Sequence, residues 1–327
     1  MTYRILGLVD STTDAMAYYR SSLPWIRITQ QYPDVSVDFI SPNTNPNWDL
    51  LSQYNVLFSQ RPDSRLDVDF IYKCKVHRMK IWVDFDDALW AVTSDSPAFL
   101  HYNNTSTREA VKECIEAADV ITVSTQELAD SLYRFSGKEA IVVENAVDLY
   151  GMQYTSSYKK DGGTLVWRGS HTHQNDLLSV KEDLMKIDAE YDVKWTFMGL
   201  NFWLVTESLK EVTHIDYIAE QTLYYETLRK IEGNMMYVPL VDNEFNRCKS
   251  KIAALEAIVC GVLPLVPVWW DDMNLFGEGT YYERIKRMLD TPYDTREVLH
   301  RNLVEHVKNN YNLDDKNAQR MDILRTL

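Results

Sequence analysis

The residues best suited to chemistry gather in one stretch, Pro239 to Val266, which reads PLVDNEFNRCKSKIAALEAIVCGVLPLV. An apolar run ends at Pro239 and Leu240. A polar loop with Asp242, Asn243, Glu244 and Asn246 follows, and Lys249, Ser250 and Lys251 then open a helical pattern that runs to Cys260 and stops at Gly261. The free N–H groups of a helix N-terminus attract phosphate, helped by the helix dipole. Lys249 adds a point charge there and Ser250 a hydroxyl donor, so the junction suits a diphosphate. Glu256 stands six residues beyond Ser250, roughly 9 Å down the axis at the α-helical rise. It shares a helix face with Ile252 and Val259, and a carboxylate on an apolar face is costly unless it finds partners. A ribose diol, about one sugar length from the diphosphate, is one such partner. A solvated place at the edge of the face is the other reading.

Further polar groups sit where the pattern passes from strand to loop: VWRGSHTHQNDL, residues 166–177, carries Arg168, whose forked guanidinium matches phosphate oxygens. AYYRSSLP, residues 17–24, offers Tyr19 and Arg20, and VDFDDALWAVTSDSP, residues 83–97, offers Asp84, Asp86 and Asp87 as a D-x-D-D cluster. Such a cluster either meets sugar hydroxyls, holds a divalent cation on a sugar nucleotide, or caps local structure. His101, His171 and His173 each suit a hydroxyl contact or a plain surface role, and Trp203, Trp269 and Trp270 suit stacking on a ring or packing in a core.

These groups need a scaffold, and the pattern supplies one. Short apolar runs alternate with helical stretches: strands at Ile5–Val9, Val35–Ile40, Val56–Ser59, Met79–Asp84, Val120–Ser124 and Ala140–Val143, with helices at Tyr18–Gln31, Arg108–Ala118 and Thr125–Phe135. The rhythm breaks over NAVDLYGMQYTSSYKKDGG, residues 145–163, and then restarts with strands Thr164–Trp167, Lys194–Met198, Met235–Leu240 and Val262–Val266. Helices at Gln174–Ala189, Gln221–Ile231 and Lys249–Cys260 intervene, and Tyr281 to Leu327 is largely helical. Strands spaced by helices imply parallel β-α-β crossovers and an open sheet covered on both faces. The expected architecture is α/β: two Rossmann-like doubly wound domains facing a central cleft. The boundaries read as 1–148, a linker at 149–163, a second domain at 164–310, and a C-terminal helix at 311–327 that packs back on the first domain.

Bulk properties narrow the partners. The chain has 327 residues, enough for two cores. Its formal net charge of -14 argues against broad binding to nucleic acid or anionic membrane, though not against a local basic cleft. Cys74, Cys114, Cys248 and Cys260 form no C-x-x-C pair and read as reduced, buried thiols. The first residues do not form a signal peptide, and no run reaches the length of a transmembrane helix, so the expected location is cytoplasmic.

Taken together, the Pro239–Val266 stretch resembles the donor-binding motif of the group 1, family 4-like glycosyltransferases of the GT-B fold, in the branch with a P-L-x-D-x-x-F-N-x-x-K-S loop. VWRGSHTHQNDL resembles the first strand-loop-helix of the donor domain, AADVITVSTQELADSL, residues 117–132, the last strand-helix of the acceptor domain, and VENAVD, residues 143–148, the motif before the linker. The resemblance implies a retaining glycosyltransferase that uses a nucleoside diphosphate sugar and needs no further cofactor. Arg168 and Lys249 would be the catalytic cations. Gly169, Ser170, His173, Asn243, Glu244, Asn246, Ser250, Lys251 and Glu256 would bind the donor, and Tyr19, Arg20, Asp86 and Asp87 the acceptor. In this class cations and helix ends hold the diphosphate, so no metal is expected at the Asp cluster. Relatives carry two glutamates with seven residues between them, whereas Glu244 and Glu256 have eleven, which leaves Asn243 or Asn246 to meet the sugar.

The acceptor stays open between a polysaccharide, a lipid-linked glycan, a small glycoside and a hydroxymethylated base in phage DNA. The basic run Lys73, Lys75, His77, Arg78 and Lys80 raises the last of these and reads otherwise as a solvated helix end. A non-catalytic nucleotide-sugar binder is the alternative of another class. A dinucleotide oxidoreductase fits poorly, because Gly7 stands alone after the first strand where a G-x-G-x-x-G would be needed.

Overall fold

Two all-parallel sheets organise the chain in the computed structural model, which describes residues 2–9, 15–44, 46–150, 157–159 and 163–327. The stretch read as a linker, residues 149–163, lies largely outside those residues. The first sheet contains β1 (Tyr3–Leu8), β2 (Val35–Ile40), β3 (Val56–Gln60), β4 (Lys80–Phe85), β5 (Val120–Val123) and β6 (Ile141–Val142), in the order β2-β1-β3-β4-β5-β6. The second contains β7 (Thr164–Gly169), β8 (Lys194–Gly199), β9 (Val212–Ile215), β10 (Gly233–Tyr237) and β11 (Leu263–Leu265), in the order β11-β10-β7-β8-β9.

Central strands buried on both faces explain this topology. In β4, Ile81, Trp82, Val83 and Phe85 are all buried, and in β8 so are Trp195, Phe197 and Met198. Neither strand leaves a face for water, so helices must cover both sides, and crossover helices make the pairing parallel. Each sheet reverses direction beside its first strand, between β1 and β3 and between β7 and β10. Ligands of open parallel sheets bind at such switch points, beyond the carboxyl ends of the strands.

The helix Leu313–Thr326 ends the chain against the first sheet. Met321, Ile323 and Leu324 enter one cluster with Trp25, Ile28, Phe58 and Trp82, and the helix packs on Leu23–Gln31. A bridge from Val147 to Asn312 precedes it.

Several elements differ from the sequence reading for local reasons. The stretch from Tyr18 opens as a π-helical turn, Tyr18–Ser22, and continues as Leu23–Gln31 with Pro24 in the first turn, where a missing N–H does no harm. Gln174–Ala189 is two helices, Gln174–Leu178 and Lys181–Glu190. β9 is a polar edge strand of four residues, VTHI, with no fully buried position, so no apolar run announces it. All four cysteines are buried free thiols. No helix among the described residues is long and apolar enough to cross a membrane.

Candidate active site

A cavity of about 440 Å³ opens between the carboxyl ends of the two sheets. β7 delivers Arg168 and Gly169 to it, followed by Ser170, Thr172 and His173. The loop after β10 delivers Lys249 and Ser250, and the helix Ile252–Val259 delivers Glu256. This helix begins at Ile252 with Lys251 as its N-cap, so Lys249 and Ser250 lie just ahead of it and not within its first turn as the sequence suggested. From the first sheet, Tyr19, Arg61, Asp86 and Asp87 face the same space.

Glu256 is fully buried, with a network of its own. Arg168 Nη2 lies 2.8 Å from its Oε2, the Tyr224 hydroxyl donates to Oε2 at 2.7 Å, and the Tyr19 hydroxyl donates to Oε1 at 2.8 Å. The alternative of a solvated edge position is therefore excluded. The carboxylate faces the cavity but already has protein partners. Burial and the neighbouring Glu256 charge push the Tyr19 and Tyr224 phenols well above their ordinary range, which keeps both as donors. Burial works against the Arg168 charge, but Glu256 outweighs it. Arg168 lines the cavity, and its Nε is buried and without a hydrogen-bond partner, an uncommon state for a guanidinium.

Lys249 reaches across the cleft, its Nζ 3.6 Å from Asp87 Oδ1 and 4.5 Å from the centre of the Phe245 ring. Ser250 Oγ accepts from Asn145 Nδ2 at 2.8 Å. His173 Nδ1 lies 2.9 Å from Asp176 Oδ2. Burial, then the charge of Lys249, lowers the His173 pKa below the ordinary imidazole value, against the pull of Asp176.

Asp86 and Asp87 follow β4 and share one guanidinium, that of Arg61, which hydrogen-bonds both. Burial pushes the Asp86 carboxyl up. Burial acts on Asp87 in the same sense, but Lys249 and Arg61 together hold it below the ordinary carboxylate value. Arg61 was not singled out in the sequence. It sits just after β3 with φ 48°, a left-handed backbone that a non-glycine residue rarely adopts and that tends to mark functional positions. An isolated arginine after a short strand gives no sign of this.

Some expected site residues do not line the cavity. Arg20 is buried beneath it, with Nε 2.9 Å from Asp84 Oδ2, Nη2 2.5 Å from Asp84 Oδ1 and Nη1 2.6 Å from the Val143 carbonyl, so it braces β4 and has no face left for an acceptor. Asn243 caps the short helix Glu244–Arg247. Asn246 is buried, donating to Asp176 Oδ1 and the Val241 carbonyl. Glu244 turns outward to Ser131 and Arg134, tying the two halves together. Lys251 pairs with Asp272 at 2.7 Å. His101 binds Asp63 on the surface. Of the tryptophans, Trp270 lines the cavity, while Trp203 is exposed. Sequence spacing could not separate these roles, because polar loop residues that cap or brace have the same composition as those that bind. Tyr224 and Gln221, on the helix Gln221–Lys230, line the cavity and were also missed, since a tyrosine or glutamine in an amphipathic helix resembles any other half-buried position.

No protein-family model matches the chain, and no curated protein matches it in sequence. Solved structures do match in fold. An α-glucosyltransferase in complex with UDP-glucose and DNA containing an abasic site superposes with a TM-score of 0.64 at 12% identity, over 99% of each chain. A glycosyltransferase from Rickettsia africae gives 0.66 at 13% identity, over 98% of this chain and 97% of that one. Anabaena Alr3699/HepE in complex with UDP gives 0.62 at 11% identity, over 100% of both chains. At such identities the likeness is one of architecture, and it spans both sheets and the cleft between them: the chain has the GT-B glycosyltransferase fold.

Proposed function

We propose that this protein is a glycosyltransferase that moves a sugar from a nucleoside diphosphate sugar to an acceptor hydroxyl. The half built on β7–β11 would hold the donor, and the half built on β1–β6 the acceptor. The observation that carries this reading is the meeting of Arg168, with its unsatisfied Nε, and Lys249 and Ser250 at one wall of the interdomain cavity. UDP or UDP-glucose in the fold neighbours supports the same assignment.

In this mechanism the two cations and the Ser250 hydroxyl neutralise charge as it develops on the leaving diphosphate, which is electrostatic stabilisation of the transition state. Closure of the cleft brings the acceptor near the anomeric carbon and excludes water. Asp86 and Asp87, on the opposite wall, receive the acceptor. Retention by front-face attack, with the departing phosphate taking the acceptor proton, suits a donor wall whose lining carboxylate, Glu256, is already bound by Arg168. No metal is needed in this scheme.

A panel of nucleoside diphosphate sugars in a thermal-shift assay tests the donor, because a ligand selective for the folded state raises apparent stability. With the active donor, Lys249→Ala is expected to lower turnover by about 100-fold, the scale of one lost charge-stabilising group. Unchanged turnover and donor affinity in Lys249→Ala and Arg168→Ala would overturn the assignment. Donor binding without hydrolysis or transfer to any acceptor would favour a non-catalytic binder.

Among acceptors, a modified DNA base gains support from the neighbour crystallised with DNA. The basic run does not add to it. Lys73 and Lys75 end the helix Arg65–Val76 and Lys80 begins β4, whereas the cavity lies past the other end of that strand, about 20 Å away for six residues of strand. Lys75 and Lys80 are also engaged locally, with the Ala117 carbonyl and Asp119. Salt-sensitive binding of duplex DNA at low ionic strength is the outcome that would favour a DNA acceptor.

A further inference from the structure

A serine hydroxyl helps an anion only when its proton is turned toward it, and a free hydroxyl rotates to suit its surroundings. At Ser250 the direction is set from the other half of the molecule. Asn145, a few residues past β6, is buried and lines the cavity, and its Nδ2 donates to Ser250 Oγ at 2.8 Å. Ser250 Oγ is the acceptor in that bond, so its own proton is left for the cavity that it also lines.

The orientation of the Asn145 amide follows from its neighbours. The oxygen and nitrogen of an asparagine are alike in shape, and the hydrogen-bond network decides which is which. Asn145 Oδ1 faces Arg20 Nη1 at 3.0 Å. A guanidinium has donors only, so the oxygen must face Arg20 and the NH2 must face Ser250. Arg20 is fixed in turn. Asp84 takes its Nε at 2.9 Å and its Nη2 at 2.5 Å, and Thr122 Oγ1 donates to Asp84 Oδ1 at 2.6 Å. The Trp82 indole N–H donates to that Thr122 oxygen at 2.8 Å. Each junction has one permitted direction, and a satisfied buried network of this kind is rigid.

We infer that Asn145 is a positioning residue for phosphate binding: it leaves the Ser250 proton to the diphosphate, and Arg20 keeps Asn145 in the orientation that does so. The inference rests on the donor-site reading above and adds to it a residue of the opposite half that acts through Ser250.

The test is a double-mutant cycle. Inorganic pyrophosphate, and separately UDP, are titrated calorimetrically into the full chain, Asn145→Leu, Ser250→Ala and the double variant. Asn145→Leu is expected to weaken binding about fivefold in the parent, part of what a hydrogen bond to a charged group contributes, because the freed hydroxyl still donates some of the time. In the Ser250→Ala background the same change is expected to cost less than about twofold. Asn145→Asp serves if Leu fails to fold, since it keeps the acceptor for Arg20 and draws the Ser250 proton to itself. Its charge acts in both backgrounds, so the part of its loss that vanishes with Ser250→Ala is the measure. An equal loss in both backgrounds shows that Asn145 meets the ligand directly or only supports the fold, and overturns the inference while the donor site stands. Ser250→Ala with unchanged affinity also overturns it, leaving Arg168 and Lys249 as the phosphate groups. Wild-type protein that binds neither UDP nor pyrophosphate overturns the donor site and this inference together.

Discussion

Glu256 illustrates how one carboxylate can organise a site before any substrate arrives. Its three contacts, with Arg168, Tyr19 and Tyr224, join both halves of the molecule, since Tyr19 belongs to the first and the others to the second. Replacing it with alanine leaves a guanidinium largely buried without its counter-charge, a change worth on the order of 3 kcal/mol. Glu256→Ala should therefore lower the urea midpoint. Because Arg168 is then free, pyrophosphate should raise that midpoint more in the variant than in the parent. A variant that gains no more than the parent would show that Arg168 does not face the anion.

Histidine protonation gives a second test at this scale. His300 is buried, and its Nε2 lies 2.8 Å from the Ile258 carbonyl while its Nδ1 has no partner. Burial lowers its pKa, so the folded protein holds a neutral ring where the unfolded chain would take a proton. The unfolded state binds more protons between the ordinary histidine value, about 6.5, and the depressed folded value. Stability must therefore fall as pH drops through that window. His173, also lowered, adds in the same sense. Denaturation midpoints at pH 7.5 and 5.5 should show this loss, and His300→Leu should make it smaller.

At the scale of elements, strand ends decide the shape of the cavity. Gly199 closes β8 with φ 114°, and a Cβ there would lie 2.1 Å from the Gly169 carbonyl oxygen at the end of β7. Neither backbone can yield without parting the two strands that carry Arg168 and Met198. Gly199→Ala should destabilise the fold by more than about 1 kcal/mol and weaken nucleotide binding, read by thermal melting and titration.

The strands themselves were largely legible in the sequence, because central parallel strands are continuous apolar runs. β9 was not, as its polar edge residues carry no such signal. One wall of the cavity was legible in part: Arg168, Lys249, Ser250 and Glu256 share the cavity as their local context suggested. Arg61, Gln221 and Tyr224 were illegible because their importance comes from what folding sets opposite them. Arg20 misled for the same reason, since only the fold shows that Asp84 occupies it.

Across the whole molecule, polar ties span the cleft: Asn145 to Ser250, Thr125 to the Cys248 carbonyl, Ser131 to Glu244, Asn175 to Asp95, and Lys249 to Asp87. The last of these would compete with a bound diphosphate, because the cation proposed to hold phosphate is paired with a carboxylate from the opposite half. Asp87→Asn should release Lys249 and tighten UDP binding by about fivefold, the equivalent of roughly 1 kcal/mol, while turnover falls if Asp87 receives the acceptor. Weaker UDP binding in this variant would contradict the competition.

The C-terminal helix has a consequence for biogenesis. Asn317 donates to the Pro24 carbonyl across 293 residues of chain, and Met321 and Leu324 complete the apolar cluster around Trp25. At 5–20 residues per second, roughly 15–60 s of translation separate the two sides of that contact. Through this interval the nascent first sheet carries an uncovered apolar flank, which waits for the helix Leu313–Thr326 to emerge from the ribosome and seal it.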